Sequence, residues 1–293
     1  MERIDSSDPV RLGDVLITGG TGFFGQHFVR RLLTEHMSER ICIYSRDEFK
    51  QFQMRQAFGD DSRLRWFIGD VRDQARLSRA MRNIETVIHG AALKRIEVGH
   101  YNPGEMVKTN VQGTMNVAEA CQDNHVRASV LLSSDKAFQP ISAYGQSKAL
   151  AESIFLASNS TGGALGTRFL VTRYGNVAGS TGSVIPVWRA AIAAGETIRV
   201  TDSEATRFWM FANEAVDLVL AAAIAPTKAR PLLIPQLPAF RLGDLVKAMG
   251  VRVYDEVGLP KHEKMHEAMD FYNSSDIATR LTVDQLKEML THV

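Results

Sequence analysis

Two cysteines in 293 residues leave no disulfide framework to read. Cys42 falls in a run that reads as a buried strand and Cys121 at the end of a helical run, so both are expected as reduced core thiols of a cytoplasmic protein. No apolar run approaches the ~18 residues of a membrane span, and the start of the chain, Met1 to Pro9, lacks the apolar stretch of a secretion signal. An excess of one charge is missing too. Lys and Arg number 34 against 33 Asp and Glu, a formal net charge of +1, which gives no electrostatic footprint for nucleic acid. The eight histidines are scattered without metal-ligand spacing, and the i,i+4 pair His262 and His266 reads as surface or lobe structure, not a zinc site. Internal repeats, linkers and low-complexity stretches are also absent.

What is there is an ordinary globular composition, 45% hydrophobic and 23% charged, on a chain long enough for a dinucleotide-binding domain plus a smaller lobe. Strands are expected at 14–18, 41–44, 64–68, 86–89, 128–132 and 168–172. Helices are expected from the glycine-rich turn through about 33, then over 47–57, 105–122 and 144–157. Short β-branched and aromatic runs alternating with helices predict an α/β fold, a doubly wound parallel sheet of Rossmann type with a ligand crevice beyond the strand C-termini. After Arg173 the pattern loosens. Residues 175–183 read as a loop, 186–194 as helix, 197–201 as extended, 213–225 as a strongly apolar helix packing back on the sheet, and 282–291 as an amphipathic helix. The expected domains are therefore interleaved: 12–175 and 208–228 form the dinucleotide domain, 176–207 and 229–293 the substrate lobe.

The run Thr18-Gly-Gly-Thr-Gly-Phe-Phe-Gly25 follows the first strand and opens the first helix. Gly19, Gly22 and Gly25 permit a tight turn, close approach of a pyrophosphate and close helix–sheet contact, and the helix N-terminus offers free N–H groups to phosphates. Thr21, Phe23 and Phe24 share that loop. Where the second strand ends, an NAD site usually carries an acid for the ribose 2′-hydroxyl. Ser45 and Arg46 stand there, with Lys50 one turn on, and suit the 2′-phosphate of NADP. The adjacent Asp47 keeps NAD as the alternative. Asp70 and Val71, after the third strand, are placed for the adenine edge, with a helix cap as the plainer role for Asp70. Ala91 and Ala92, after the fourth strand, are small where backbone must pass close to a cofactor.

Tyr144 and Lys148 lie four residues apart, on one face of a helix. An ammonium near a phenol favours its ionised form and makes it a usable base. Ser134, Asp135 and Lys136 lie just upstream, at the end of a strand. A hydroxyl, a carboxylate and a second amine beside an activated phenol are the equipment for oxidising an alcohol and then eliminating water next to the new ketone.

With these residues in hand, the chain resembles the extended short-chain dehydrogenase/reductase superfamily. More narrowly it resembles the UDP-N-acetylglucosamine 4,6-dehydratases that invert C5, of the pseudaminic-acid type. The matching segments include Tyr44-Ser-Arg-Asp-Glu48, Gly69-Asp-Val-Arg-Asp73, His89-Gly-Ala-Ala-Leu-Lys94 and Asn102-Pro-Gly-Glu-Met-Val-Lys-Thr-Asn110. Further on come Ser134-Asp-Lys-Ala137, Arg173-Tyr-Gly-Asn-Val177, Gly182-Ser-Val-Ile-Pro186 and Thr206-Arg-Phe-Trp-Met210. The likeness runs from about Val15 to Glu267, and Asp135-Lys136 is its most telling pair, since retaining relatives carry Asp-Glu there.

The resemblance implies a lyase with NADP as a recycled cofactor. Tyr144, helped by Lys148 and Ser134, takes the 4-hydroxyl proton of the sugar while hydride leaves C4. Lys136, as a neutral amine, takes the C5 proton, and Asp135, if protonated, donates to the departing 6-hydroxyl. Hydride returns to C6 and C5 is reprotonated on the opposite face. Tyr174 is implied as a cofactor contact and Lys94 as a contact to cofactor or sugar. Asn176, Ser183, Val184, Arg207 and Glu267 are implied as contacts to the nucleotide sugar, and a homo-oligomer is the implied assembly. Two departures are visible. Thr181 replaces the arginine of the substrate loop, and Pro260-Lys-His-Glu-Lys264 replaces a phosphate-binding Arg motif, with Lys261 or His262 as the substitute. A nucleotide-sugar 4-epimerase shares the Ser-Tyr-Lys oxidation without the elimination pair. A 5,6-dehydratase that never returns hydride to C6 is a variant of the same chemistry, and a non-catalytic dinucleotide sensor would have no use for the full set.

Overall fold

The computed structural model describes residues 11–161, 166–225 and 230–293. The N-terminal stretch read above for a secretion signal lies outside the described residues, as do 162–165 and 226–228 of the expected dinucleotide domain. The chain runs β1 (Val15–Thr18), α1 (Phe23–Thr34), β2 (Ile41–Ser45), α2 (Glu48–Phe58), β3 (Leu64–Ile68), α3 (Gln74–Ala80) and β4 (Thr86–His89). Then come α4 (Ile96–Tyr101), α5 (Pro103–Met106), a π-helical stretch (Val107–Gln112), α6 (Gly113–Asp123), β5 (Ala128–Leu132), a single 3₁₀ turn (Asp135–Ala137), α7 (Ala143–Thr161) and β6 (Arg168–Thr172). The remainder is α8 (Val184–Ala193), β7 (Arg199–Val200), β8 (Thr206–Phe208), α9 (Ala212–Ile224), β9 (Leu232–Leu233), β10 (Ala239–Arg241), α10 (Leu242–Ala248), β11 (Asp255–Glu256) and α11 (Val283–Leu290).

Seven strands form one parallel sheet in the order β3-β2-β1-β4-β5-β6-β9. The order reverses between β1 and β4, and the crevice that opens at such a reversal is where ligands bind in doubly wound sheets. β1, β2 and β4 are buried along their whole length, as strands covered by helices on both faces must be. Phe28, Val29 and Leu32 of α1 with Val216, Val219 and Leu220 of α9 seal one face. Leu77 of α3, Val117 and Cys121 of α6, and Ala151 and Phe155 of α7 seal the other. Both cysteines are free and buried. A smaller core around Trp188, Trp209, Phe240, Leu245 and Leu286 holds the second lobe. No described helix is long and apolar enough to cross a membrane.

Three features depart from the sequence reading. The single helix expected over 105–122 is α5, the π-helical stretch and α6 in series. The wider turn sets Asn110 so that its side chain brackets Leu93, accepting from the Leu93 N–H at 2.8 Å and donating to its carbonyl at 2.9 Å. Helices α3 and α4 are additional to the helices expected above; α3 follows the stretch where a cap at Asp70 is considered, but its cap is Asp73, which accepts from the Arg76 N–H at 2.9 Å. Finally, 229–293 does not fall wholly in the smaller lobe. Leu232 and Leu233 pair with Val171 and Thr172 at the open edge of β6 and complete the main sheet.

Candidate active site

The strand ends converge on one crevice of about 1070 Å³. At its floor β1 hands over to the glycine-rich turn. Gly19 has φ +68°, and a Cβ there would stand 2.9 Å from the Ala91 backbone, so the position admits only glycine. A Cβ on Gly25 would overlap the Gly20 carbonyl, which is how α1 comes to lie directly on the turn. Gly22 precedes α1 with no side-chain cap, leaving the first-turn N–H groups to the crevice wall formed by Thr21, Gly22, Phe23, Phe24 and Gly25.

Ser45, Arg46, Asp47 and Lys50 line the far end. The Ser45 hydroxyl is buried and accepts from Gln51 Nε2 at 3.0 Å. Asp47 caps α2 by accepting from the Lys50 N–H at 3.1 Å. The Arg46 and Lys50 side chains are about half or more exposed, with only long contacts to Asp70 (3.7 Å) and Asp47 (3.9 Å). Asp70 lines the crevice, but its carboxylate is gripped by Arg72, whose N–H, Nε and Nη2 donate at 3.0, 2.9 and 2.7 Å. Burial alone would raise that carboxyl; the Arg72 hydrogen bonds and charge outweigh it and hold it below its ordinary value. The helix-cap role weighed for Asp70 belongs to Asp73.

Behind the small residues Ala91 and Ala92 sits His89, fully buried. Its Nδ1 is 2.7 Å from Thr18 Oγ1 and its Nε2 3.1 Å from Thr114 Oγ1. Burial, then the charge of Lys148, push its pKa down to about 3, so the ring is neutral at ordinary pH. Asn110, tied to Leu93, also donates to Ser147 Oγ at 2.9 Å, and Ser147 donates to the Tyr144 carbonyl at 2.7 Å. The loop after β4 and the helix carrying the phenol are thus locked to one another. Sequence reading assigned Asn110 no role; its one signal was a place in a matching segment.

Ser134, Asp135, Lys136, Tyr144 and Lys148 all line the crevice. The Ser134 hydroxyl donates to Asp135 Oδ1 at 2.7 Å and accepts from the Lys136 N–H at 3.2 Å. Lys136 Nζ lies 3.2 Å from Asp135 Oδ1 and 3.3 Å from Glu267 Oε1. Asp135 is 1% exposed, and its Oδ2 has no partner. Burial would lower the Lys136 pKa, but the two carboxylates more than offset it, and the net shift is upward. The two carboxylates favour the ammonium form, whereas the sequence reading has Lys136 act as a neutral amine. Tyr144 is pushed up, chiefly by burial, with Lys136 and Ser134 pulling the other way. Lys148 does not supply that pull. Its Nζ donates to the Leu132 carbonyl at 2.6 Å, and burial lowers its pKa to about 8. The amine expected to activate the phenol thus donates to the strand end in this structure, and among the charges acting on Tyr144 that of Lys136 favours the phenolate.

The opposite wall comes from the lobe. Tyr174, Asn176, Ser183 and Val184 line it, with Asn176 Oδ1 and Ser183 Oγ buried and unpartnered. Lys94 lines the rim. Arg207 lines the wall as well, but its nitrogens are engaged: Nη1 donates to the carbonyls of Thr206 and Met265, and Nη2 lies 3.4 Å from Glu263. Neither Lys261 nor His262 lines the crevice; Glu263 and Glu267 do. Lys264 donates to the Phe138 carbonyl at 2.6 Å and so straps this segment to the end of the Asp135–Ala137 turn, a role that no sequence motif announced.

Residues 15–287 match the family described as polysaccharide biosynthesis protein. The chain belongs to that family. It is 43% identical over 258 residues to a UDP-N-acetylglucosamine 4,6-dehydratase (inverting) of Campylobacter jejuni, covering 87% of this chain and 77% of the relative. It is 40% identical over 238 residues to a UDP-glucose 4-epimerase of Rickettsia prowazekii, covering 80% and 69%. Among solved structures, Pen from Bacillus thuringiensis superposes with a TM-score of 0.90 at 31% identity, over 98% of this chain and 100% of that one. DesIV, a dTDP-glucose 4,6-dehydratase from Streptomyces venezuelae, gives 0.80 at 21% identity over 95% and 96%, a likeness of fold. The sheet order and these neighbours give this member of the polysaccharide biosynthesis family a Rossmann-type doubly wound fold.

Proposed function

We propose that the protein is a nucleotide-sugar 4,6-dehydratase, a hydro-lyase acting on UDP-N-acetylglucosamine with inversion at C5. The observation that carries this reading is the couple of buried Asp135 and partly buried Lys136 at 3.2 Å beside Tyr144. An epimerase needs the phenol and a hydride carrier; it has no use for an acid and an amine placed for elimination.

The glycine-rich loop, the uncapped α1 N-terminus and the small Ala91 and Ala92 fit a dinucleotide, with Lys148 and Tyr174 also lining the crevice. Two exposed cations, Arg46 and Lys50, beside an Asp47 spent on capping α2 favour a 2′-phosphate, hence NADP. Bound there, the cofactor supplies the hydride acceptor for C4 and the hydride donor for C6. Tyr144 accepts the 4-hydroxyl proton, and the Lys136 charge stabilises the phenolate that this role requires. Asp135 and Lys136 act as a unit. One proton passed from Nζ to Oδ1 converts carboxylate and ammonium into the carboxylic acid and free amine that elimination demands. Lys136 then takes the C5 proton, the C–H pair passing into the enolate, and Asp135 protonates the 6-hydroxyl as it leaves as water. The couple returns to its charged form. Asn176 and Ser183, with unpartnered buried oxygens, are assigned to the nucleotide sugar along with Val184 and Lys94, whereas the engaged Arg207 shapes the wall. Self-association is assigned to the helices after β4 and β5, where Val98, Tyr101, Val107 and Leu150 are exposed.

Incubation with UDP-N-acetylglucosamine tests the reading. The expected product is lighter by one water and carries a 4-ketone, a 6-methyl group and inverted C5, seen by mass spectrometry and NMR. A product of unchanged mass epimerised at C4 overturns it, and a 5,6-alkene without the methyl group replaces it with the 5,6-dehydratase variant.

A further inference from the structure

Glu267 reaches the catalytic turn from the other lobe. It is 2% exposed, with Oε1 3.3 Å from Lys136 Nζ. Its backbone is pinned on both sides by Ser275: the Glu267 N–H donates to Ser275 Oγ at 2.9 Å, and its carbonyl accepts from the Ser275 N–H at 2.7 Å. Ser275 Oγ is in turn 2.6 Å from Thr206 Oγ1. The segment that carries the carboxylate is thus fixed, and burying that carboxylate is costly unless a cation answers it. The available cations are Lys136 and Lys264. Lys264 is the more distant, 3.8 Å from Oε2, and is committed to the Phe138 carbonyl. Lys136 is therefore held between an acid of its own turn and an acid of the lobe, and only the first can supply a proton to a leaving group while remaining beside Ser134.

We infer that Glu267 is a positioning residue for the C5 proton transfer: it holds Lys136 Nζ at the crevice wall beside Asp135, without touching C4. The inference rests on the dehydratase reading above. The groups that face Lys136 are Asp135 on its own turn, Glu267 and Lys264 from the lobe segment, Arg207 from β8 and Tyr144 from α7. Of these, Asp135, Glu267 and Tyr144 favour the ammonium and Arg207 opposes it. Glu267 is the strongest of them that takes no proton itself in the reaction. A base with higher proton affinity removes a carbon-bound proton faster once it is free.

The test is Glu267→Gln in the full chain, which keeps the shape and removes the charge. Two rates are followed against pH: hydrogen exchange at C4 and appearance of the dehydrated product. Above the rising limb, where the amine is free in both proteins, the ratio of elimination to C4 exchange is expected to fall about threefold or more, and the limb itself to move about one unit to lower pH, because the amine loses a carboxylate that held its proton. Glu267→Asp keeps the charge on a shorter stem; its limb is expected at the wild-type position with a partly restored ratio. Should Glu267→Gln lack a cooperative melting transition, Glu267→Asp carries the test through the ratio alone. An unmoved limb with both rates falling in parallel makes Glu267 structural glue and overturns the inference. A wild-type protein that yields no dehydrated product removes the dehydratase reading instead, whatever the variants do.

Discussion

Gly145 packs against the Lys136 carbonyl so closely that a Cβ there would overlap the oxygen. Helix α7 and the 3₁₀ turn therefore meet backbone to backbone, and the Gly145 N–H is further tied to Ser142 Oγ at 3.1 Å. That contact fixes the distance between the phenol one residue earlier and the acid–amine couple across from it.

Gly145→Ala measures what the contact is worth. Alanine gains about 1 kcal/mol of helix propensity over glycine. Overlap with a backbone oxygen that cannot rotate away costs more, about 1–3 kcal/mol for a forced shift in a packed region. The variant is expected to unfold at lower urea and to lose elimination more than dinucleotide binding. A variant as stable and active as the parent would show that the turn moves freely.

Much of this site was legible in the sequence because its groups lie in two short windows. Ser134 to Lys136 and Tyr144 to Lys148 follow one strand, and a turn that close in sequence has few ways to separate them. The sheet was legible for the same reason: β3, β4, β5 and β6 form at the residues their apolar runs mark. What sequence spacing could not show is which partner each charge chooses. Lys148 faces the Leu132 carbonyl and Lys136 faces Glu267, which is distant in the chain. The π-helical stretch was hidden too, since its residues carry the same apolar period as an α-helix and only the Asn110–Leu93 bracket marks the change.

Arg46 decides cofactor choice if the 2′-phosphate reading holds. Arg46→Asp removes one charge-assisted donor and adds repulsion, and NADP affinity is expected to fall about tenfold to a hundredfold while NAD binding rises. Calorimetric titration of cofactor-free protein with each dinucleotide checks it. Tighter binding of NAD than of NADP by the unaltered protein refutes the premise.

His89 gives the fold an acid liability. Its pKa falls from 6.5 in the unfolded chain to about 3 in the buried site, so between those values the unfolded chain binds a proton that the folded one refuses. Its contribution is fully present above about pH 6.5 and is lost progressively as pH falls toward about 3. His89→Gln, with no such proton, is expected to be less stable at neutral pH but to lose less stability on acidification, as read by urea unfolding at several pH values. Parallel pH slopes for the two proteins would mean that other groups govern the acid limb.

Leu150 on α7 and Tyr101 on α4 are exposed apolar residues on helices that pack together. If that face joins copies of the chain, Tyr101→Glu with Leu150→Glu shifts the mass measured by light scattering to that of one chain. An unchanged assembly moves the interface elsewhere.

Asp135 and Lys136 should fail together. In Lys136→Ala the acid keeps its place but no amine takes the C5 proton; in Asp135→Asn the amine remains, yet its proton has no acceptor on the turn and the 6-hydroxyl no donor. Each single variant is expected to lose elimination by about 10²- to 10⁴-fold, the range for a general acid or base, while C4 hydrogen exchange persists in Asp135→Asn and is slowed, not abolished, in Lys136→Ala, where Tyr144 keeps its place but loses the charge that steadies its phenolate. The double variant is then expected to lose little more than either single one, since groups that exchange one proton as a pair are not additive. Elimination rates for the four proteins close this cycle. Losses that multiply would mean that acid and amine act in separate steps, and the 3.2 Å pairing would then be only the resting form of the site.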